Sequence, residues 1–292
     1  MNATATTGTQ WVLTLSCIDG PGIVHAISGA VVAAGGNIAE SQQFASDDTG
    51  RFFMRLQVEA VAQPETFEQR FSDALTPVTA RYNMTWRLDT VGRPTRTLLL
   101  ASTATHCVND LLYRQRTGQL PIEVPLILSN HETVRDIADF YGVPFEHRVV
   151  DGPEAKAAFE ARVLEIVEEQ QIELVVLARY MQILSPELCA ALKGRAINIH
   201  HSFLPGFKGA NPYRQAHARG VKLIGATAHF VTTDLDEGPI IEQDVARVDH
   251  SYTPERLQQL GQDEEARTLR RAVTWFAENR LLLDGDRTII FR

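Results

Sequence analysis

Ala196-Ile197-Asn198-Ile199-His200-His201-Ser202-Phe203-Leu204-Pro205 is the first half of the stretch that decides the fold. After a polar loop the second half runs Gly225-Ala226-Thr227-Ala228-His229-Phe230-Val231, then Asp234-Leu235-Asp236-Glu237-Gly238-Pro239-Ile240-Ile241. Residues 196–199 read as a short β-branched strand, the pattern of a buried parallel strand. The polar residues and Pro-Gly turn that follow put His200, His201 and Ser202 at the C-terminal edge of that strand. Ligands bind at this edge in open α/β sheets. The second half is another strand followed by an acidic turn. An amide, imidazoles and a carboxylate are therefore expected in one crevice.

Around this stretch, strand patterns alternate with helical ones, the signature of a parallel sheet. Strands are expected at 97–101, 124–129, 146–149, 174–178, 196–199, 225–231 and 240–248. Helices are expected near 107–117, 133–141, 154–170, 186–192 and 213–220, with a long closing helix at 254–279. This is a Rossmann-like domain with a mostly parallel sheet over residues 97–292. The loop after its first strand, Ser102 to Asp110, contains no GxGxxG. A glycine-poor loop approaches phosphate less closely, which argues against a dinucleotide or phosphorylated ligand there. His106 in that loop reads as polar lining of the site, as a helix N-terminal contact or as an inert surface histidine.

Upstream, residues 10–89 have a different rhythm, and the polar Gly-Pro segment 90–96 is the expected linker. Trp11, Leu13 and Leu15 alternate as a strand; Ile23, Ile27, Ala30, Val31 and Ala34 have helical spacing. Two further strands, a helix burying Phe67, Phe71, Ala74 and Leu75, and a last strand through Tyr82 to Leu88 give the order βαββαβ, a ferredoxin-like domain. With Asp19-Gly20-Pro21-Gly22 at the first strand–helix turn and Gly36-Asn37-Ile38 after the helix, this domain resembles an ACT domain. The resemblance implies edge-to-edge pairing into a dimer or tetramer, and an amino-acid effector site formed by Asp19, Gly20, Gly22 and Asn37 at a subunit interface. Glycine and methionine are the expected effectors, through their connection to one-carbon flow. The competing expectation is a turn that merely shapes the chain and a domain that only holds subunits together.

Composition excludes several classes. The net charge of −8 argues against nucleic acid or an anionic membrane as the main partner. The three cysteines, Cys17, Cys107 and Cys189, lack CxxC spacing and suggest a reducing compartment. The apolar runs are too short to span a bilayer, and residues 1–9 lack the pattern of a signal peptide. The expectation is a cytoplasmic protein with a disordered tail over residues 1–9.

Asn198 and His200 are two residues apart on a strand and share one face. An amide N–H suits a developing oxyanion, and an imidazole with the Asp236 carboxylate suits proton transfer, which together fit acyl transfer. Three rival readings stand beside this one. His200, His201, His229 and Asp236 form a zinc set in the first, although His200 and His201 are expected on opposite strand faces and no HExxH or CxxC supports a metal. Ser202 is a nucleophile in the second, without a Gly-x-Ser-x-Gly elbow; the alternative is a cap or turn residue. His229, amid Ala226, Ala228 and Phe230, is in the third a satisfied core histidine.

Ile197-Asn198-Ile199-His200 with Ser202-x-Leu204-Pro205, then His229-x-Val231 and Asp236-x-Gly238-Pro239-Ile240, resembles the catalytic signature of the formyltransferases that use 10-formyltetrahydrofolate. The resemblance implies that Asn198, His200 and Asp236 are the catalytic trio. Glycinamide ribonucleotide formyltransferases carry Pro where this chain has His201, and a Gly-rich phosphate loop after the first strand. The His200-to-Pro205 segment, Gly209-Ala210-Asn211-Pro212-Tyr213, the His106-Cys107 loop and the N-terminal domain instead resemble the formyltetrahydrofolate deformylase family. That likeness implies hydrolysis of 10-formyltetrahydrofolate to formate and tetrahydrofolate, with formate going to purine synthesis and the one-carbon pool kept in balance.

By the same resemblance no cofactor or metal is expected. Asp236 orients or deprotonates water and passes a proton towards N10. Asn198 and protonated His200 stabilise the oxyanion, while His201, His106, His229 and Ser202 are candidates for the water site. Tyr180, Met181, Gln182 and Leu184 correspond to one wall of the folate pocket, with Asp234 and Leu235 on the other. Gln182 stands where the family usually has Arg. The alternatives are a formyltransferase with an amine acceptor such as glycinamide ribonucleotide, and a non-catalytic folate or amino-acid sensor. Methionyl-tRNA as acceptor expects a basic extension that this acidic chain lacks.

Overall fold

The computed structural model describes residues 9–202 and 212–292, and Pro212 by its backbone alone. The expected tail, apart from Thr9, and the motif residues Phe203, Leu204, Pro205, Gly209, Ala210 and Asn211 lie outside the described residues. The chain divides into two compact units, one of 1–93 with 278–284 and 289–292, the other of 94–277 with 285–288.

In the first unit β1 (Gln10–Ile18), α1 (Ile23–Ala33), β2 (Gly36–Ser46), β3 (Arg51–Ala60), α2 (Pro64–Arg81) and β4 (Thr85–Thr90) follow one another. The antiparallel sheet has the order β2-β3-β1-β4, the ferredoxin-like arrangement expected from the alternation. Leu13 pairs with Leu56 on one side and Leu88 on the other, so one sheet face is a continuous apolar surface. Against it pack Ile23, Ile27 and Val31 of α1 and Phe67, Phe71 and Leu75 of α2. The Phe67 ring meets Trp11 at 4.7 Å between centroids and Phe71 at 5.5 Å. Gly36 makes room for it, since a Cβ there would come within 2.8 Å of the ring.

The other face of this sheet is also covered. Val12, Phe53 and Arg55 are buried, and Arg55 donates from Nη2 to the Glu278 carbonyl oxygen while pairing with Glu40 at 3.3 Å. Residues 278–284 and 289–292 thus belong with the first unit by their contacts, whereas sequence alone assigned the chain from 97 onward to one domain. The hairpin of β12 (Leu281–Asp284) and β13 (Arg287–Ile290) is too short for its period to mark a domain.

The second unit begins with β5 (Thr95–Ala101), α3 (His106–Arg116), β6 (Ile122–Ser129), α4 (Arg135–Tyr141), β7 (Phe145–His147) and α5 (Pro153–Glu169). It continues with β8 (Leu174–Ala178), α6 (Pro186–Ala191), β9 (Ala196–His200), α7 (Pro212–Arg219), β10 (Leu223–Phe230), β11 (Ile240–Arg247) and α8 (Pro254–Ala277). Its seven strands are ordered β11-β10-β9-β8-β5-β6-β7. The pairs from β9 through β8, β5 and β6 to β7 are parallel. β10 runs antiparallel to both β9 and β11. The central strands are buried on both faces: every residue of β8 is buried, and Leu98, Leu99, Leu100 and Ala101 of β5 are fully so.

Candidate active site

β9 ends at His200, with Ile197 and Ile199 pointing into the core and Asn198 and His200 to the opposite face. Because β10 is antiparallel, its partners fall in register: His229 lies directly opposite Asn198, and Thr227 opposite His200. Directly paired residues share a face, so the side chains of Asn198, His200 and His229 emerge together. Asn198 Nδ2 is 3.1 Å from His229 Nε2. His229 Nδ1 is 2.9 Å from the Phe230 carbonyl oxygen, a contact that places the Nδ1 proton and turns Nε2 towards the site. His229 is only 3 % exposed, yet its ring serves the site rather than the core.

The turn from β10 to β11 brings the carboxylate back over this face. Asp236 adopts a left-handed conformation, φ 58°, and Gly238 lets the turn close on the strand, because a Cβ there would come within 1.8 Å of the Phe230 carbonyl oxygen. The turn is tied down by the bond from Phe230 N–H to the Pro239 carbonyl oxygen. Asp236 Oδ2 then lies 3.2 Å from His200 Nδ1, and Oδ1 lies 3.7 Å from His229 Nε2. These two imidazoles hold its carboxyl far below the usual carboxylate range. Asp236 is therefore an anion clasped by two rings: a strong orienting group and a weak base.

His201 does not point away from His200 as strand alternation predicts. β9 stops at His200 and the backbone bends, so the two rings stack at 4.8 Å between centroids and 21° between planes. Burial, then the charge of Arg179 and of His200, push the His201 imidazole down to about 4. Ser202 is buried in the same bend, and its carbonyl oxygen accepts from Thr227 Oγ1 at 3.0 Å. No base is aligned on its hydroxyl among the described residues, and it caps no described helix.

These groups open into a cleft of about 890 Å³. One wall is the segment after β8, Arg179 to Leu184; the other is 231–238. Tyr180, Met181, Gln182, Leu184, Asp234 and Leu235 all line it. Tyr180 is anchored by stacking on Phe159 at 5.2 Å, whereas Met181, Ile183 and Leu235 stay more than half exposed as apolar walls for a flat ligand.

His106 sits outside this trio. It opens α3, and its Nε2 is 2.7 Å from Glu265 of α8, which also accepts from Tyr213 Oη at 2.7 Å and faces Arg179 Nε at 3.3 Å. Tyr213 entered the sequence reading only as part of a motif and Arg179 only at the head of the pocket segment, and Glu265 not at all; a charged residue amid an apolar helix stripe was the only signal for it. Donor atoms of His106, Cys107 and Glu265 lie within 4.8 Å of one another. Burial pushes the Cys107 thiol well up, and Glu265 is already engaged by His106 and Tyr213, so the group is a hydrogen-bond network in character.

In the first unit the effector candidates do not converge within one chain. Asp19 accepts from the Gly20 N–H at 2.8 Å in the turn after β1, and Gly22, φ 87°, opens α1. Asn37 donates to Glu59 at 2.9 Å, and Glu59 pairs with Gln10 at the far end of β1.

The formyl transferase family model matches residues 95–273. Formyltetrahydrofolate deformylase of Corynebacterium sp. (strain P-1) is 45% identical over 281 residues, covering 96% of this chain and 98% of that protein. The crystal structure of formyltetrahydrofolate deformylase from Burkholderia mallei superposes with a TM-score of 0.91 at 48% identity, covering 97% of this chain and 100% of that one. Glycinamide ribonucleotide transformylase 1 of Symbiobacterium toebii matches with a TM-score of 0.65 at 34% identity, covering 70% of this chain and 98% of its own. The formyltransferase likeness thus spans the second unit's site, and the deformylase likeness extends over nearly the whole chain: the chain belongs to the formyltetrahydrofolate deformylase family.

Proposed function

We propose that this chain hydrolyses 10-formyltetrahydrofolate to formate and tetrahydrofolate, and that Asn198, His200 and Asp236 carry the reaction. The observation behind this reading is the Asp236 carboxylate clasped between His200 and His229 beside Asn198, at one end of a cleft with apolar walls. A flat pterin fits between the Arg179-to-Leu184 segment and the 231–238 turn, presenting the N10 formyl group to the trio. The Asn198 amide donates to the oxygen that becomes an oxyanion as water adds. Asp236 orients the His200 ring through Nδ1 and leaves Nε2 to face the reacting group. No metal or cofactor enters this reading.

The test is formate release from 10-formyltetrahydrofolate with no acceptor present. Asp236→Asn is expected to lower turnover by roughly a thousandfold or more while folate affinity stays within a few-fold. Full activity in that variant removes the assignment. The second reading, transfer to an amine acceptor, draws on the likeness to glycinamide ribonucleotide transformylase and predicts product only when an acceptor is supplied.

Around the reaction the reading places the enzyme in the cytoplasm as a homo-oligomer, supplying formate for purine synthesis and balancing the folate pool. The first unit serves as an ACT domain with an amino-acid effector, glycine or methionine. Three free buried cysteines and a net charge of −8 support a reducing compartment and a small-molecule partner in place of nucleic acid. Among the described residues no helix is long and apolar enough to cross a membrane.

A further inference from the structure

The cleft wall that follows β8 is held at both ends by carboxylates that belong neither to the trio nor to the lining of the cleft. At its far end the Ser185 N–H donates to Glu160 Oε1 at 2.9 Å, and the Ser185 hydroxyl accepts from the Leu188 N–H as α6 begins. At its near end Glu265 of α8, 1 % exposed, lies 3.3 Å through Oε2 from Arg179 Nε. Between these two pins Tyr180 stacks on Phe159, while Met181 and Ile183 remain exposed along the cleft.

Glu265 is itself fixed in place. His106 Nε2 lies 2.7 Å from Oε2, and Tyr213 Oη donates to Oε1 at 2.7 Å. Gly261, one turn earlier on α8, makes room for Tyr213, because a Cβ there would come within 2.1 Å of the Tyr213 hydroxyl. Burial pushes the Glu265 carboxyl up, but these partners and the charge of Arg179 outweigh it and hold the group as an anion. Arg179 needs such a hold. It adopts φ 63°, where a Cβ crowds the backbone and which residues other than glycine seldom occupy. The chain leaves β8 at this residue, whose N–H donates to the Leu177 carbonyl oxygen at 3.0 Å. Arg179 Nε and Nη1 are buried without a hydrogen bond among the described residues, so the ion pair with Glu265 is what offsets the burial of its charge.

We propose that Glu265 is a positioning residue for folate binding: by holding the Arg179 side chain it keeps the left-handed turn out of β8, and with it the placement of residues 180–184 against the pterin. The trio lies elsewhere, on β9 and in the turn after β10. The effect therefore falls on substrate binding and spares the chemical step. Arg179 acts here through its backbone, and its cation takes no part in moving a proton. The inference rests on the folate reading of the cleft given above.

The experiment follows formate release from 10-formyltetrahydrofolate for wild type, Glu265→Gln, Arg179→Gly, Arg179→Ala and the Glu265→Gln/Arg179→Gly pair. Gln keeps the shape of Glu and can still accept from Tyr213, but it lacks the charge that holds Arg179. Glu265→Gln is expected to raise KM about tenfold with kcat within about threefold. Glycine adopts a positive φ without a holding contact, so adding Glu265→Gln to Arg179→Gly is expected to leave KM within about twofold of Arg179→Gly alone. An unmoved KM in Glu265→Gln overturns the proposal. So does a tenfold rise that recurs in the Arg179→Gly background, because the effect then runs through His106, Tyr213 or general stability.

Should Glu265→Gln fail to fold by circular dichroism, the comparison of Arg179→Ala with Arg179→Gly decides. Both lose the ion pair, but only alanine is strained at a positive φ, so its KM is expected about fivefold above that of Arg179→Gly; equal values overturn the proposal. Wild type separates the two levels. Formate release there with an unmoved KM in Glu265→Gln removes the Glu265 role alone, whereas no formate from wild type removes the underlying reading and this inference with it.

Discussion

Asn198 shows how much a single residue depends on its neighbour across the sheet. Its amide lies 3.1 Å from the His229 ring and has a second N–H for the substrate oxygen. On the mechanism proposed above, replacing it with Ala removes the oxyanion donor and leaves the strand intact; kcat is expected to fall by about 10²–10³ with little change in KM, read from formate release. The sequence showed Asn198, His200 and Asp236 as chemistry because their types and spacing suit it. It left His229 between core and site, since an imidazole flanked by alanines and a phenylalanine fits either. The antiparallel register with Asn198 resolves this. Strand alternation misplaced His201, because the bend after His200 is not encoded in a period of two.

At the scale of elements, the turn after β10 is what turns a sheet edge into a site. Its closure depends on Gly238, where any Cβ meets the Phe230 carbonyl oxygen. Gly238→Ala is expected to push Asp236 off His200 and lower turnover at least tenfold, while the thermal transition moves by only a few degrees; assays and melting curves on the same variant separate the two. The helix α2 offers a contrasting case. Phe67 is fully buried against Trp11, Phe71 and the space above Gly36. Phe67→Ala is expected to cost about 3–5 kcal/mol, seen as a lower midpoint for the first unit in denaturant titration. Helical and strand periods made these elements legible, with ends displaced by up to three residues, as where β4 begins at Thr85 and not at Tyr82, because apolar spacing reports the face each element buries. The sense of β10 was not legible: parallel and antiparallel strands share the same pattern when both faces are covered.

For the whole molecule, the buried imidazole of His201 couples stability to pH. Its value in the folded chain, about 4, lies below the unfolded value of about 6.5. Between these values the unfolded chain binds the extra proton, so stability rises with pH across this window and falls as the medium is acidified. Wild type is expected to lose more melting temperature between pH 7 and pH 5 than His201→Asn does, measured by scanning calorimetry at both pH values. An equal loss in the two proteins contradicts this coupling.

By itself the sequence determined the two domain rhythms, the ferredoxin-like and Rossmann-like patterns, and it offered the trio as chemistry, while the walls of the cleft came from its family resemblance. These are local facts, since residue type, spacing and turn chemistry are written along the chain. Tertiary structure alone decided three matters: that His229 joins the site through an antiparallel strand, that His201 stacks on His200, and that Glu265, 86 residues after Arg179, clamps it. Each is a contact between segments far apart in sequence. Their proximity depends on the folded backbone and on the low dielectric of a buried site, which make a pairing strong only once the chain has closed around it.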